Sequence, residues 1–318
     1  MDFFDILFSF EYSNFIIMKT DKHFFMGLIL LCISIPLSAQ KDSLTKKYNR
    51  WNLQVNAGYG FPCNKTDLFT NSTTSNGVIT SDLVTGSYGK GFELGAGINY
   101  RVYRKLSAGL NVNYLLGGSY TQMNKSTYFG TDTYDEYICR ARTFRVNPTL
   151  QYNFFDDDCC DECCDDECNI SPFIRVGASI GLGTQFREDF TSTNTINSGQ
   201  GVVTNTTTRS ENYSGGIGFG YTGAFGVTYP IGKKMTLFGE WNFNQQVWRP
   251  LKSVLTESTY NGQSNLDDLP VSSREVKYVD QIIYDPMINP EVNVPSQQLK
   301  RTIPLNSSGF QFGLNFKF

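Results

Sequence analysis

The 318 residues include 29 Gly, 25 Phe and 18 Tyr, yet the mean hydropathy is only -0.29. A bundle of membrane helices does not have that balance, whereas a β-barrel does, because each lipid-facing residue alternates with a lumen-facing one and the loops are polar. The 27 Lys and Arg face 30 Asp and Glu, which become 25 and 26 once two bases and four acids in residues 1–40 are set aside, so no nucleic-acid footprint is present.

Residues 1–17 carry Asp2, Asp5 and Glu11 and no base, the wrong charge for the start of an export signal, so Met18 is read as the true start. Lys19 and Lys22 then precede an apolar run over 24–37, too short to cross a bilayer as a helix. With Ala39 close behind, residues 1–40 are expected to be a secretory signal that is removed, and 41–50 a short periplasmic lead. Cys32 follows Leu31 rather than a small residue, which argues against a lipoprotein signal. Export places the remaining cysteines in an oxidising compartment.

From Trp51 the chain alternates. Trp51, Leu53, Val55, Ala57, Tyr59 and Phe61 share one face, with polar residues and glycine on the other. The same period of two recurs from Phe92 to Tyr100, from Leu106 to Tyr114, from Phe144 to Phe154 and from Ile174 to Leu182. It returns from Ile217 to Tyr229, from Met235 to Phe243, and in residues 309–318, G-F-Q-F-G-L-N-F-K-F. Between these runs, 62–88, 118–138, 187–213 and 247–304 are rich in Ser, Thr and Asn and read as four long loops. Short turns at 102–105 and 230–234 alternate with them, and the turn at 155–171 is longer.

Eight strands of this length, joined alternately by long and short connections, predict an all-β fold: a closed antiparallel transmembrane β-barrel over residues 51–318, wound as an up-and-down meander. A ten-stranded barrel follows if 276–284 adds a hairpin, and a soluble antiparallel sandwich is the alternative outside the membrane. In the barrel the loops near 62, 118, 187 and 247 are extracellular and both ends of the barrel domain are periplasmic.

The only histidine is His23, inside the expected signal, and no nucleophile elbow, P-loop or H-E-x-x-H motif occurs, since the one G-x-S-x-G spacing, Gly177 to Gly181, falls within an alternating strand. Hydrolytic mechanisms that rest on an imidazole base have no residue to use in the mature chain, so a non-enzyme without a cofactor is expected. The predicted lumen holds Glu93, Arg101, Arg145, Arg175, Glu240 and Lys317 beside Gln54, Asn111, Asn147 and Gln151. Charges inside a narrow barrel are costly unless paired. They read either as an ion-pair plug filling a lumen only wide enough for side chains, or as a selective pore.

Residues 156–168, D-D-D-C-C-D-E-C-C-D-D-E-C, put five cysteines and eight acids in a periplasmic turn. Cys159, Cys160, Cys163, Cys164 and Cys168 approach thiolate spacing for zinc or copper(I), but the carboxylates disfavour thiolates and the compartment favours disulfides. A solvated oxidised turn, a metal site and intermolecular disulfides all stay open. Cys63 and Cys139, at the outer ends of two strands, form either a loop-tying disulfide or two isolated thiols.

The signal, the glycine-interrupted alternating strands and the closing Phe310, Phe312, Leu314, Phe316 and Phe318 resemble the small outer-membrane β-barrel proteins of the OmpX, OmpW and OmpA-barrel type, in the form common among Bacteroidetes. The resemblance implies an integral place in a Gram-negative outer membrane, in contact with its lipid. It also implies that the closing aromatic strand is the signal read by the barrel-assembly machinery, and Phe318 is the residue whose loss would impair assembly most. The function expected is a structural or surface-interaction role through the four extracellular loops, engaging an extracellular ligand or surface. The alternative is a narrow porin for ions or small solutes, as in OmpW-like proteins.

Overall fold

In the computed structural model the chain divides into Met1–Tyr48 and Asn49–Phe318. The residues described are 50–75, 78–128, 131–155, 170–198, 201–232, 234–282 and 292–318. The expected signal, the lead to residue 49 and the acidic cysteine run lie outside them.

In chain order, β1 (Trp51–Phe61) is followed by the hairpin β2 (Thr66–Ser75) and β3 (Val78–Gly86), then by β4 (Gly91–Tyr103) and β5 (Leu106–Gly117). Next come β6 (Tyr120–Tyr128), β7 (Thr131–Asn153), β8 (Ser171–Ser198), β9 (Gly201–Ser214), β10 (Gly218–Gly232) and β11 (Met235–Trp248). The last stretch holds β12 (Lys252–Tyr260), β13 (Gln263–Ser264), the single turn α1 (Val271–Arg274), β14 (Glu275–Val279), β15 (Ser296–Leu299), β16 (Ile303–Pro304) and β17 (Ser307–Lys317).

Eight of these strands close a ring. β1 pairs with β4, then β4 with β5, β5 with β7, β7 with β8, β8 with β10, β10 with β11, and β11 with β17, all antiparallel. β17 returns to β1 with Leu53 opposite Phe316 and Tyr59 opposite Phe310, so the first and last staves seal each other and no edge is left in hydrocarbon. The eight-stranded meander expected from the alternation is the barrel observed. Residues 276–279, considered as part of an extra hairpin, belong to β14 outside the ring, where they pair with β15 and the start of β12.

The barrel is apolar outside and polar inside. Phe92, Phe225 and Phe312 are more than 60% exposed on the outer wall, whereas Gln54 and Arg145 on the inner one are fully buried. Asparagine and glycine are placed opposite each other inside β4 and β5: Asn111 lies across from Gly97, and its amide oxygen occupies the space that a Cβ on Gly97 would need. That close approach fits long polar side chains into the narrow lumen.

The four long connections are not loops. β7 has 23 residues and β8 has 28, roughly 90 Å of extended chain for the latter. That is about three times the ~30 Å of a hydrocarbon core. β7 and β8 run on together beyond the membrane stave, from Cys139 opposite Glu188 up to Thr131 opposite Ile196. β9 pairs along the upper half of β8, β12 along β9, and β6 along β7, so the wall continues as a sheet beyond the barrel. The sequence 201–214, G-V-V-T-N-T-T-T-R-S-E-N-Y-S, shows why this was hidden. Water covers both faces of much of this extension, so no apolar alternation is needed, and threonine serves as a β-branched strand former.

At the passage from membrane stave to extension, Gly183 adopts φ +58° and the register of β8 shifts against Arg142 and Phe144. Such a bulge reverses which residues point inward. Below it Arg175 and Ser179 face the lumen; above it Thr184 and Phe186 do.

Candidate functional site

The lumen is filled by two layers of ion pairs. In the layer nearer the outer mouth, Arg145 on β7 pairs with Glu93 on β4. Arg145 Nε donates to Gln246 Oε1 at 3.3 Å, Nη1 to Ser307 Oγ at 3.3 Å and Nη2 to the Leu305 carbonyl at 2.6 Å. Gln311 Nε2 donates to Glu93 Oε2 at 2.8 Å. Staves β4, β7, β11 and β17 are thereby joined across the interior.

In the layer nearer the barrel end that holds Trp51 and Phe318, Arg175 on β8 pairs with Glu240 on β11 at 3.3 Å. Its Nη2 donates to Gln54 Oε1 at 3.2 Å and to Gln151 Oε1 at 3.0 Å, and Asn99 Nδ2 donates to Gln54 at 3.1 Å. A cavity of about 20 Å³, lined by Asn56, Asn111, Asn147, Arg175 and Glu240 among others, lies in this region. It is large enough for about one water.

Four of the six charges expected in the lumen thus meet in two networks. Arg101 and Lys317, also expected there, are half-buried at the periplasmic end of β4 and β17. Asn111, expected in the lumen, donates to Thr149 Oγ1 at 3.2 Å, and Asn147 is buried beside them.

A strap crosses the outer mouth. β16 pairs with the end of β11, Val247 opposite Pro304 and Trp248 opposite Ile303. The Pro304 carbonyl accepts from Tyr88 N at 3.0 Å and from Ser87 Oγ at 3.1 Å, and Leu305 N donates to the Gln246 carbonyl at 2.8 Å. Asn306 N donates to Ser87 Oγ at 2.6 Å, and its side-chain oxygen accepts from Gln246 N at 2.9 Å. Leu305 is fully buried, with its carbonyl on Arg145 below.

Above the strap the extension encloses a second cavity of about 320 Å³. Its walls are aromatic: Tyr88 meets Phe186 edge to face at 4.8 Å, and Phe186 meets Tyr213 at 5.4 Å. Phe69 and Tyr137 also line it. The Arg301 guanidinium lies 3.9 Å from the Tyr213 ring centre and 3.5 Å from Glu188 Oε2. Burial raises the Glu188 carboxyl above its ordinary range, raises the Tyr88 and Tyr213 hydroxyls, and pushes the Cys139 thiol up to about 12.

Cys63 and Cys139 are free thiols, so the loop-tying disulfide considered between them is not formed. Cys139 is instead a wall residue of the cup, buried among Tyr88, Ala141 and Phe186. The acidic cysteine run, with Cys159, Cys160, Cys163, Cys164 and Cys168, lies outside the described residues; among those described, no group of three His, Cys, Asp or Glu could hold a metal ion. The expected assembly residues Phe310, Phe312, Leu314 and Phe316 sit on β17 between β1 and β11, and Phe318 N donates to the Trp51 carbonyl at 3.0 Å.

Reading the polar connections as loops missed the cup altogether. The signal for it lay in Tyr134, Tyr137, Phe186, Phe190 and Tyr213, aromatics too dense for solvated loops.

A closed ring of eight staves that is apolar outside and polar within is the architecture of an integral outer-membrane β-barrel. No protein-family model matches the chain, and no curated protein matches it either. Among solved structures the chain is similar to Neisserial surface protein A, at 13% identity over 84% of this chain and 97% of that one, with a TM-score of 0.33. It is also similar to Ail, the attachment invasion locus protein of Yersinia pestis, at 8% identity over 85% of this chain and 99% of that one, with a TM-score of 0.26. A major outer membrane protein from Thermus thermophilus matches at 12% identity over 84% of this chain and 99% of that one, with a TM-score of 0.24. The barrel assignment rests on this chain's own strand pairing and burial.

Proposed function

We propose that the protein is a closed, non-conducting outer-membrane barrel that anchors a rigid extracellular β-extension, and that its role is structural or interactive at the cell surface. The observation that carries this reading is the strap. Leu305 is held from below by Arg145 and from the side by Gln246, directly over two cross-barrel ion-pair layers. A solute path would have to part all three, and the cavity beside the lower layer holds only about 20 Å³.

The non-enzymatic reading is supported by the absence of histidine beyond His23. The lipid of the outer membrane covers the exposed aromatic wall, and the barrel-assembly machinery is the partner proposed for β17. The test is conductance in planar bilayers. Refolded protein should give no stable steps at potentials that leave the bilayer intact. Reproducible unitary steps from the native protein would overturn the closed-barrel reading and favour a narrow porin.

A further inference from the structure

The cup lies above the strap, apart from the two ion-pair layers of the lumen, and its chemistry is selective. Its volume of about 320 Å³ falls at the lower end of the range of small-molecule sites. Phe69, Tyr88, Tyr137 and Phe186 supply aromatic surface, which suits a ligand with a flat C–H face. Gln122, Glu188, Arg301 and Thr302 supply amide, carboxylate, guanidinium and hydroxyl groups to the same space. The first three are planar and can each engage two neighbouring hydroxyls.

The charges decide the ligand's own charge. Glu188 and Arg301 already neutralise each other at 3.5 Å. Arg301 also lies over the Tyr213 ring at 3.9 Å and the Phe186 ring at 5.4 Å, so a cationic ligand would meet like charge over rings that are already occupied. An anionic ligand would meet Asp67 and Glu188 on the lining, with Glu211 behind them receiving the Tyr213 hydroxyl at 2.9 Å. A purely apolar ligand would strip water from these carboxylates without replacing its hydrogen bonds. What remains is a neutral ligand with an apolar face and a hydroxylated edge.

We infer that the extracellular cup binds a neutral saccharide of one or two rings, its ring face on Phe69 and Tyr137 and its hydroxyls on Glu188, Arg301 and Gln122. Glu188 is desolvated by the fold, and hydroxyl donors on the ligand would restore the hydrogen bonds that water supplies to an exposed carboxylate. Arg301 Nε is a buried donor without an acceptor, a further sign that the polar side of the cup is incomplete without a ligand. The strap forms the floor, so the cup is a terminal site and not the vestibule of a channel. This inference rests on the proposed surface exposure of the extension, and it is tested by binding, whereas the closed barrel is tested by conductance, so that failure of one is distinguishable from failure of the other.

The experiment uses the full chain in lipid nanodiscs, which avoids maltoside detergents whose sugar headgroups would compete. Cellobiose, maltose, lactose and N-acetylglucosamine are titrated by saturation-transfer NMR and calorimetry, beside tetramethylammonium and benzoate. Saturable binding of at least one saccharide is expected, weakened about tenfold or more by Glu188→Gln and by Tyr137→Ala. The lumen variant Glu240→Gln should leave it unchanged. Should a cup variant fail to fold, the Gln122→Cys variant provides a second measurement. A saturating saccharide should slow its modification by a charged methanethiosulfonate at least fivefold. The inference is overturned if no saccharide in the panel binds saturably, if tetramethylammonium or benzoate binds in preference, or if bound sugar leaves Gln122→Cys unprotected.

Discussion

The sharpest test of the closed lumen is a double-mutant cycle on Glu93 and Arg145. Arg145→Met leaves the Glu93 carboxylate buried, with Gln311 as its remaining donor at 2.8 Å. Glu93→Met leaves a fully buried guanidinium with neutral acceptors on Gln246, Ser307 and the Leu305 carbonyl. Each single change strands a charge in the interior and should cost about 3–5 kcal/mol. The double change removes both charges and strands only neutral groups, chiefly the Leu305 carbonyl and the two glutamine amides. It should cost about 1–3 kcal/mol, less than either single change. The coupling energy, the double cost less the sum of the two single costs, is then on the order of 6 kcal/mol in magnitude, far outside the ~0.5 kcal/mol expected of independent sites. The measurement is urea unfolding in lipid vesicles, followed by tryptophan fluorescence and by the gel shift of folded against heated protein. Additive single changes, or single changes each costing under about 1 kcal/mol, would refute the argument that this pair is a desolvated plug.

Three further outcomes are expected. A variant lacking Phe318 loses one backbone rung, Phe318 N to the Trp51 carbonyl, which changes refolded stability by only about 0.5–1.5 kcal/mol. Its level in the outer membrane of cells should nevertheless fall severalfold, and normal levels would sink the proposed role of β17 as assembly signal. Cys139, its thiol pushed up to about 12 by burial against an ordinary 9.0, has about a thousandfold less thiolate than a free cysteine at neutral pH. In a background without the other cysteines it should resist maleimide until urea opens the cup, and equal rates folded and unfolded would contradict the packing around it. Arg187, Arg209 and Lys252 lie in paired strands, opposite Asn212, Ser258 and Ser214 respectively. Trypsin added to intact cells should therefore cut at them slowly, whereas rapid cleavage at all three would restore the reading of these segments as loops.

The membrane half of the fold was legible because lipid enforces a rule that residues obey one by one. Phe310, Phe312 and Leu314 must face out and Gln311 must face in, and a period of two follows. Glu93, Arg145, Arg175 and Glu240 were legible as lumen residues for the same reason, although alternation could not say which would pair. That choice is made across the ring, by staves far apart in sequence such as β4 with β7. The half beyond the barrel was not legible. Thr204, Thr206 and Thr208 alternate with Asn205, Thr207 and Arg209, polar on both sides, and only pairing with β8 and β12 makes them a strand. The bulge at Gly183 hid Phe186 further, because counting by twos from Ile174 places Phe186 on the outer wall when it is inside.

The strap shows how little chain separates the two interiors and how firmly that chain is held. Leu305 and Asn306 use both backbone N–H groups, and the Pro304 and Leu305 carbonyls both have donors. Pro304 has no N–H to satisfy, which suits a residue lying across a barrel mouth rather than along a ladder. The six hydrogen bonds that tie this segment to Ser87, Tyr88, Arg145 and Gln246 are worth about 0.5–1.5 kcal/mol each. Breaking them together would cost on the order of 3–9 kcal/mol, so the strap is displaced in fewer than about one molecule in a hundred. Spontaneous opening is therefore expected to sustain no conducting state, as the proposed closed barrel requires. A ligand in the cup, resting on Ile303 and Pro304, would press on the same segment and add to its closure.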